Sequence, residues 1–143
     1  MEDSMDFDKM VFEMRRQGFK CAQIMVKVAL EIDGKNNPDL LRAMSGLNTG
    51  MAETGGACGV LTGGAAALGY FTGRGEPNEL PHERATEIVA AYVNCFRETY
   101  GTDTCYGLIG GDFSRCPSIC PGVIQAGYEM LIEIITEYEI LES

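Results

Sequence analysis

The chain has 143 residues, 45% of them apolar, with six cysteines and a formal net charge of -10. A chain of about this length buries roughly two-thirds of its unfolded surface, so one domain with a real core is expected and no covalent staple is needed. The acidic balance, with no basic cluster beyond Arg15-Arg16, excludes the phosphate-reading footprint of a nucleic-acid binder and attachment to an anionic membrane surface.

In chain order, the first helix is expected over Ser4 to Gln17, closed by Gly18. The acidic start Met1-Glu2-Asp3-Ser4 lacks the basic and apolar regions of a signal peptide. A second helix is expected from Lys20 to Ile32, with Cys21, Ile24, Met25, Val28 and Ile32 at helical spacing. Asp33 to Asn37 reads as a turn, and Pro38 opens a short helix to Ser45. Gly46 to Glu53 is expected as a loop.

Gly55 to Phe71 is expected as a helix despite its glycines. Gly55, Gly59 and Gly63 recur every fourth residue, and each glycine inside a helix costs about 1 kcal/mol relative to alanine. Close approach of another backbone, or of a cofactor, would offset that cost. The apolar run Ala57 to Phe71 falls short of the ~20 residues of a membrane span, so a cytoplasmic protein with no membrane partner is expected.

Gly73 to Pro81 is a polar loop. A long helix is expected from His82 to Tyr100 with Ile88, Val89, Tyr92 and Phe96 on its apolar side, ended by Gly101. Thr102 or Asp103 can cap a short helix through Ile109, and Gly110-Gly111 breaks the chain. The last helix is expected over Pro121 to Leu141. With no alternating apolar pattern anywhere, the fold class is all-α, a single-domain bundle of about five to seven helices over residues 1–143.

Six cysteines are about 4% of the chain, well under the ~8% of a secreted disulfide scaffold, so they read as metal ligands or redox thiols. Cys21, Cys58, Cys105 and Cys120 fall at or near expected helix starts. There the unpaired amides favour negative charge, and a thiol is expected to have a lowered pKa. A thiolate buried in the bundle needs a compensating cation, supplied by a metal such as zinc or by an iron-sulfur cluster. Gly55, Gly56 and Gly59 would let backbone approach such a cofactor and offer N–H groups to its sulfurs. Cys116 and Cys120, spaced C-x3-C with Pro117 between them and Pro121 after, could ligate one metal or form a reversible disulfide. Cys95, mid-helix beside Tyr92 and Phe96, reads as a small core hydrophobe.

The other constellations are bland. His82, the only histidine, is expected in solvent. That single histidine argues against a His-dependent zinc site or a Cys-His catalytic pair. Glu129, Glu133, Glu137, Glu139 and Glu142 read as a solvated face, and Met10, Met14, Met25 and Met130 as core.

Gly18-Phe19-Lys20-Cys21-Ala22-Gln23 is followed by Gly55-Gly56-Ala57-Cys58-Gly59-Val60-Leu61-Thr62-Gly63. Tyr100-Gly101-Thr102-Asp103-Thr104-Cys105 comes next, with Leu108, Gly110 and Asp112 after it, and Cys120-Pro121-Gly122-Val123 closes the series. This order resembles the redox-active family named for the pattern Cys, Gly-Cys-Ala-x-x-Gly, Cys, Cys, over about residues 18–131. Here Ala57 precedes and Gly59 follows Cys58, so the central signature is only approximate, and Cys95 and Cys116 are extra. The resemblance implies a small helical redox protein of anaerobic-type metabolism. A related domain in some haem-containing cytochromes looks like an iron-sulfur carrier. Carried over by position, the functional cysteines would be Cys21, Cys58, Cys105 and Cys120.

Three readings follow. The first is electron transfer through a cluster held by those four cysteines, Cys116 replacing one of them in a variant of the idea. The second is thiol-disulfide exchange by Cys116/Cys120 or Cys58/Cys105. The third is a structural metal, such as zinc, in a helical binding protein. The resemblance favours the first, with a redox protein as partner. Glycine-faced helices also give a homodimer as an expectation.

Overall fold

The computed structural model describes residues 2–141, with side chains from Phe7 onward. The described residues form seven right-handed helices: α1 (Glu2–Arg16), α2 (Cys21–Asp33), α3 (Pro38–Met44), α4 (Gly59–Thr72), α5 (Ala85–Tyr100), α6 (Cys105–Ile109) and α7 (Cys116–Glu137). The all-α expectation holds. The only β-type pairing among the described residues is an isolated antiparallel bridge, Ala57 to Thr104.

The centre of the bundle is the α2–α4 pair, on which α5 and α7 pack. The glycines of α4 explain how close the first two come. A Cβ at Gly63 would stand 2.6 Å from the Ala22 carbonyl oxygen and 2.9 Å from its Cα. A Cβ at Gly64 would overlap the Tyr92 hydroxyl. That hydroxyl donates to the Val60 carbonyl at 2.6 Å, so the ring of a wholly buried tyrosine on α5 keys into the first turns of α4. The cost of helical glycine is thus offset by backbone contact inside the chain. The glycine face that suggested a second copy is filled by α2 and Tyr92.

Around this pair the main core gathers Ile24, Met25, Val28, Leu68, Ile88, Phe96 and Leu131, with Phe7, Val11 and Met14 from α1. Phe7 stacks on Tyr128 with ring centroids 3.9 Å apart. A smaller cluster of Ala22, Val26, Leu30, Leu41 and Met44 seats α3 on the outer face of α2. Met14, Met25 and Met130 are buried and Met10 packs against the core. Ile32, expected in the α2 stripe, is instead 40% exposed, because the chain turns away at Gly34, whose left-handed φ of 69° closes the helix.

Several boundaries differ from expectation. The glycine-rich helix begins at Gly59, not Gly55, because Cys58 holds the extended cap conformation (φ -59°, ψ 136°) and is tied to Asp103. The long helix begins at Ala85, not at His82, which is half-buried and accepts the Arg84 N–H on Nδ1 at 3.0 Å. The short helix is capped by Thr104, whose hydroxyl accepts the Gly107 N–H at 2.9 Å, and not by Thr102 or Asp103. The last helix begins at Cys116 and ends at Glu137, running through Pro121. Proline is harmless at Pro117, where the first-turn amides lack partners anyway. At Pro121 it only denies a donor to the Pro117 carbonyl. Glu129, Glu133, Glu137 and Glu139 are exposed, as expected, and Glu142 lies outside the described residues.

The largest departure is the segment expected as a loop over Gly46 to Glu53. After a 3-10 turn at Ser45–Leu47, residues Asn48–Glu53 wind as a left-handed turn. Thr49, Gly50, Met51 and Ala52 have φ of 55° to 64° and ψ of 43° to 62°. A left-handed conformation costs roughly 1–2 kcal/mol for each residue bearing a Cβ. Here Thr49, Met51, Ala52 and Glu53 all adopt it. Such strain persists only where surroundings over-determine it, typically at functional sites.

Candidate cysteine site

Cys21 opens α2. The helix is capped from outside by Asn48, whose Oδ1 accepts the N–H groups of Ala22 at 3.0 Å and Gln23 at 3.4 Å. The Asn48 amide group donates in turn to Gln23 Oε1 at 3.0 Å. Asn48 is therefore the anchor that starts the left-handed turn. The turn then aims the Thr49 N–H at the Cys21 sulfur, 3.4 Å away. Gly59 gives that sulfur its seat, since a Cβ at Gly59 would overlap Cys21 Sγ.

Cys58 and Cys105 are brought together by the bridge. The Cys58 N–H donates to the Asp103 carbonyl at 2.8 Å and the Cys105 N–H to the Gly56 carbonyl at 3.0 Å. On the other side of Cys105 lies Gly50. A Cβ there would stand 2.5 Å from Cys105 Cβ and 3.1 Å from the Gly56 oxygen, so only glycine fits at the crossing of the three segments. Cys116 arrives at the first residue of α7 and Cys120 one turn further along it.

The result is a cavity of about 320 Å³ that five of the six cysteines line: Cys21, Cys58, Cys105, Cys116 and Cys120. Its remaining wall is mostly aliphatic and aromatic, including Phe19, Ile24, Val60 and Phe113, with Arg15, Lys20 and Glu53 as its charged members. All six cysteines are free thiols. Cys95 does not reach the cavity and packs against the main core, as its reading as a small hydrophobe expects.

Helix starts were expected to lower the thiol pKa values. The structure corrects this for three of them. Burial pushes the Cys58 thiol up to about 12, against the pull of the Val60 and Leu61 amides, which hydrogen-bond it at the cap of α4; the charges of Cys21 and Cys105 push the same way as burial. Burial likewise raises Cys105, helped by Cys116, Cys21 and Glu53. Cys120 rises to about 12 through burial, the charge of Cys116, a hydrogen bond with Cys116, and the charges of Cys21 and Cys58. A helix tip stabilises a thiolate only where water or a cation also does. Cys120 is moreover a full turn inside α7, and Cys116 holds its start.

The glycines also sort differently than expected. Gly59 lines the cavity. Gly55 and Gly56 lie behind it, Gly55 against the Tyr106 ring and Gly56 against Met51. The Gly56 N–H is spent on the Gly50 carbonyl at 2.9 Å, so the amides directed at sulfur come from Val60, Leu61 and Thr49. Asn48, Thr49, Gly50, Arg15 and Tyr92 escaped sequence reasoning. None carries a local signal of a role at the site: Arg15 stands out in the sequence only as half of a basic pair, and Tyr92 only as an apolar position of its helix.

Among the described residues, no three His, Cys, Asp or Glu side chains converge closely enough to hold one metal ion. A single zinc needs its thiolates about 2.3 Å from one point, and these sulfurs do not share one. A multi-iron cluster makes a different demand, because each thiolate binds its own iron around a body with volume. Cysteines from separate elements lining one largely apolar cavity are the donor type that such a cluster takes.

Fold and site together define a small all-helical protein that gathers cysteine thiols from four elements around one cavity. Residues 19–134 match the model of the family described as Putative redox-active protein (C_GCAxxG_C_C), and the chain belongs to that family. No curated protein and no solved structure matches it. The segment Phe113–Glu137 is long and apolar enough, by length and composition alone, to cross a membrane. Val123, Ile124, Leu131, Ile134 and Ile135 within it face the core, as in the central helix of a globular bundle.

Proposed function

We propose that the protein carries electrons through an iron-sulfur cluster ligated by Cys21, Cys58, Cys105 and Cys120. The observation that carries this reading is the meeting of thiols from α2, the cap of α4, α6 and α7 on one cavity. A bound cluster would supply one-electron chemistry there, and its irons would provide the cations that buried thiolates require. The chain's own contribution is to hold the sulfurs apart at fixed positions. It does so with the Ala57–Thr104 bridge, the Asn48 anchor and the glycine contacts of α4. The Thr49, Val60 and Leu61 amides direct N–H groups at Cys21 and Cys58, and such bonds to cluster sulfurs tune potential. Arg15 and Lys20 in the cavity wall bias the site toward negative charge. A redox protein of the cytoplasm is the partner class that goes with this reading.

Purification without oxygen, or reconstitution with ferrous iron and sulfide, tests it. The expected product is brown, contains iron and acid-labile sulfide, and loses both when Cys21 or Cys58 is replaced by serine. Colourless protein without iron or sulfide from both routes would end the reading. Stoichiometric zinc in its place would favour the structural-metal alternative.

A further inference from the structure

Cys116 is the fifth thiol on the cavity and lies outside the four cysteines assigned to the cluster. It stands one helical turn before Cys120, and both line the same cavity. Residues at this spacing hold their Cβ atoms about 5–6 Å apart, while a disulfide needs roughly 3.5–4.5 Å. The turn must therefore tighten or partly unwind to close the bond.

Its sequence makes that easy. Pro121 has no N–H to give the Pro117 carbonyl, so the Cys116–Cys120 turn is joined to the rest of α7 by one backbone bond fewer than an ordinary turn. Pro117 and Ser118 are exposed and Cys116 is half-buried. A small molecule can therefore approach the first sulfur from solvent, while Cys120 lies further along the cavity wall.

We propose that Cys116 and Cys120 form a reversible disulfide by exchange with a low-molecular-weight disulfide, and that this bond withdraws Cys120 from the cluster-binding set. Cys116 attacks the small disulfide, releasing one small thiol and leaving a mixed disulfide on Cys116. Cys120 then attacks that Cys116 sulfur, closing the internal bond and releasing the second small thiol. One disulfide is reduced to two thiols, and two protein thiols lose their hydrogens to one S–S bond, so atoms and electrons balance. The gating half rests on the electron-carrier reading; the disulfide half does not.

The test uses the full metal-free chain treated with oxidised or reduced glutathione. Cys116 and Cys120 share the C-terminal tryptic peptide that starts after Arg115. With oxidised glutathione, the free-thiol count is expected to fall by two and that peptide to lose two hydrogens. Iron and sulfide uptake is expected to fall about tenfold or more, the order of loss when a metal site is weakened. Cys116→Ser should bring the ratio of uptake between the two treatments to near one.

A mixed disulfide that stays on Cys116, or six thiols still free after treatment, would overturn the disulfide. A closed disulfide with undiminished uptake would overturn the gating. Failure of the reduced chain to take up iron and sulfide would overturn the electron-carrier reading and the gating with it, while the peptide mass still decides the disulfide.

Discussion

The middle of the bundle and its cysteine end are built on opposite rules. In the middle, Ile24, Leu68, Ile88, Phe96 and Leu131 are almost wholly buried on regular right-handed helices. Any residues of the same size and polarity would serve there. At the cysteine end the backbone is irregular throughout: a left-handed turn, a single bridge, a five-residue helix and a helix start interrupted by prolines. The helices supply stability, and the irregular segments spend part of it to set sulfur positions. Stability and site geometry should therefore respond separately to substitution.

The sharpest contrast comes from the core. Phe96→Ala should destabilise the chain by about 3–5 kcal/mol, read as a lowered urea midpoint with no selective effect on any one thiol. Next comes Gly50→Ala, at the crossing of the left-handed turn with Cys105 and Gly56. Overpacking costs about 1–3 kcal/mol and the left-handed residue about 1–2 more. The same variant should expose Cys105 to alkylation. Unchanged stability and an unreactive Cys105 would mean that the turn does not hold the site.

Asn48→Ala should cost about 1–2 kcal/mol, the loss of a helix cap. Its specific signature is faster hydrogen exchange at the Ala22 and Gln23 amides. A smaller, graded effect is expected from pH. Folded and metal-free, Cys58 and Cys120 ionise only near 12, against an ordinary value of 9.0. Between those values the folded chain keeps protons that the unfolded chain releases. Stability is therefore full below about pH 9 and falls as pH rises toward 12. A melting temperature flat from pH 8 to 11 would contradict the burial of these thiols. Least of all, Cys95→Ala should cost under about 1 kcal/mol and leave the alkylation pattern of the other five thiols unchanged.

The legible part of the site was its inventory. Cysteine number, their spread over helix starts and the glycine run around Cys58 all pointed to sulfur chemistry. Cys116 stood out because of its prolines. What stayed hidden was everything that works across the chain. Asn48 caps a helix 26 positions away. Thr104 pairs with Ala57, and Gly50 admits Cys105. These are single polar or small residues in segments without periodicity. The pKa expectation failed for a related reason: a helix start is visible in sequence, but the burial that outweighs it is a property of the packed molecule.

By itself the sequence determined the helical class, the main core stripes and the set of thiols available, because helix formation and amphipathic burial follow from neighbours three and four residues apart. Tertiary structure alone decided that five of those thiols share one cavity and the sixth does not, and that burial raises the pKa of three of them. Those outcomes depend on contacts between segments distant in the chain, where desolvation and backbone crossings, not local propensity, set the free energy.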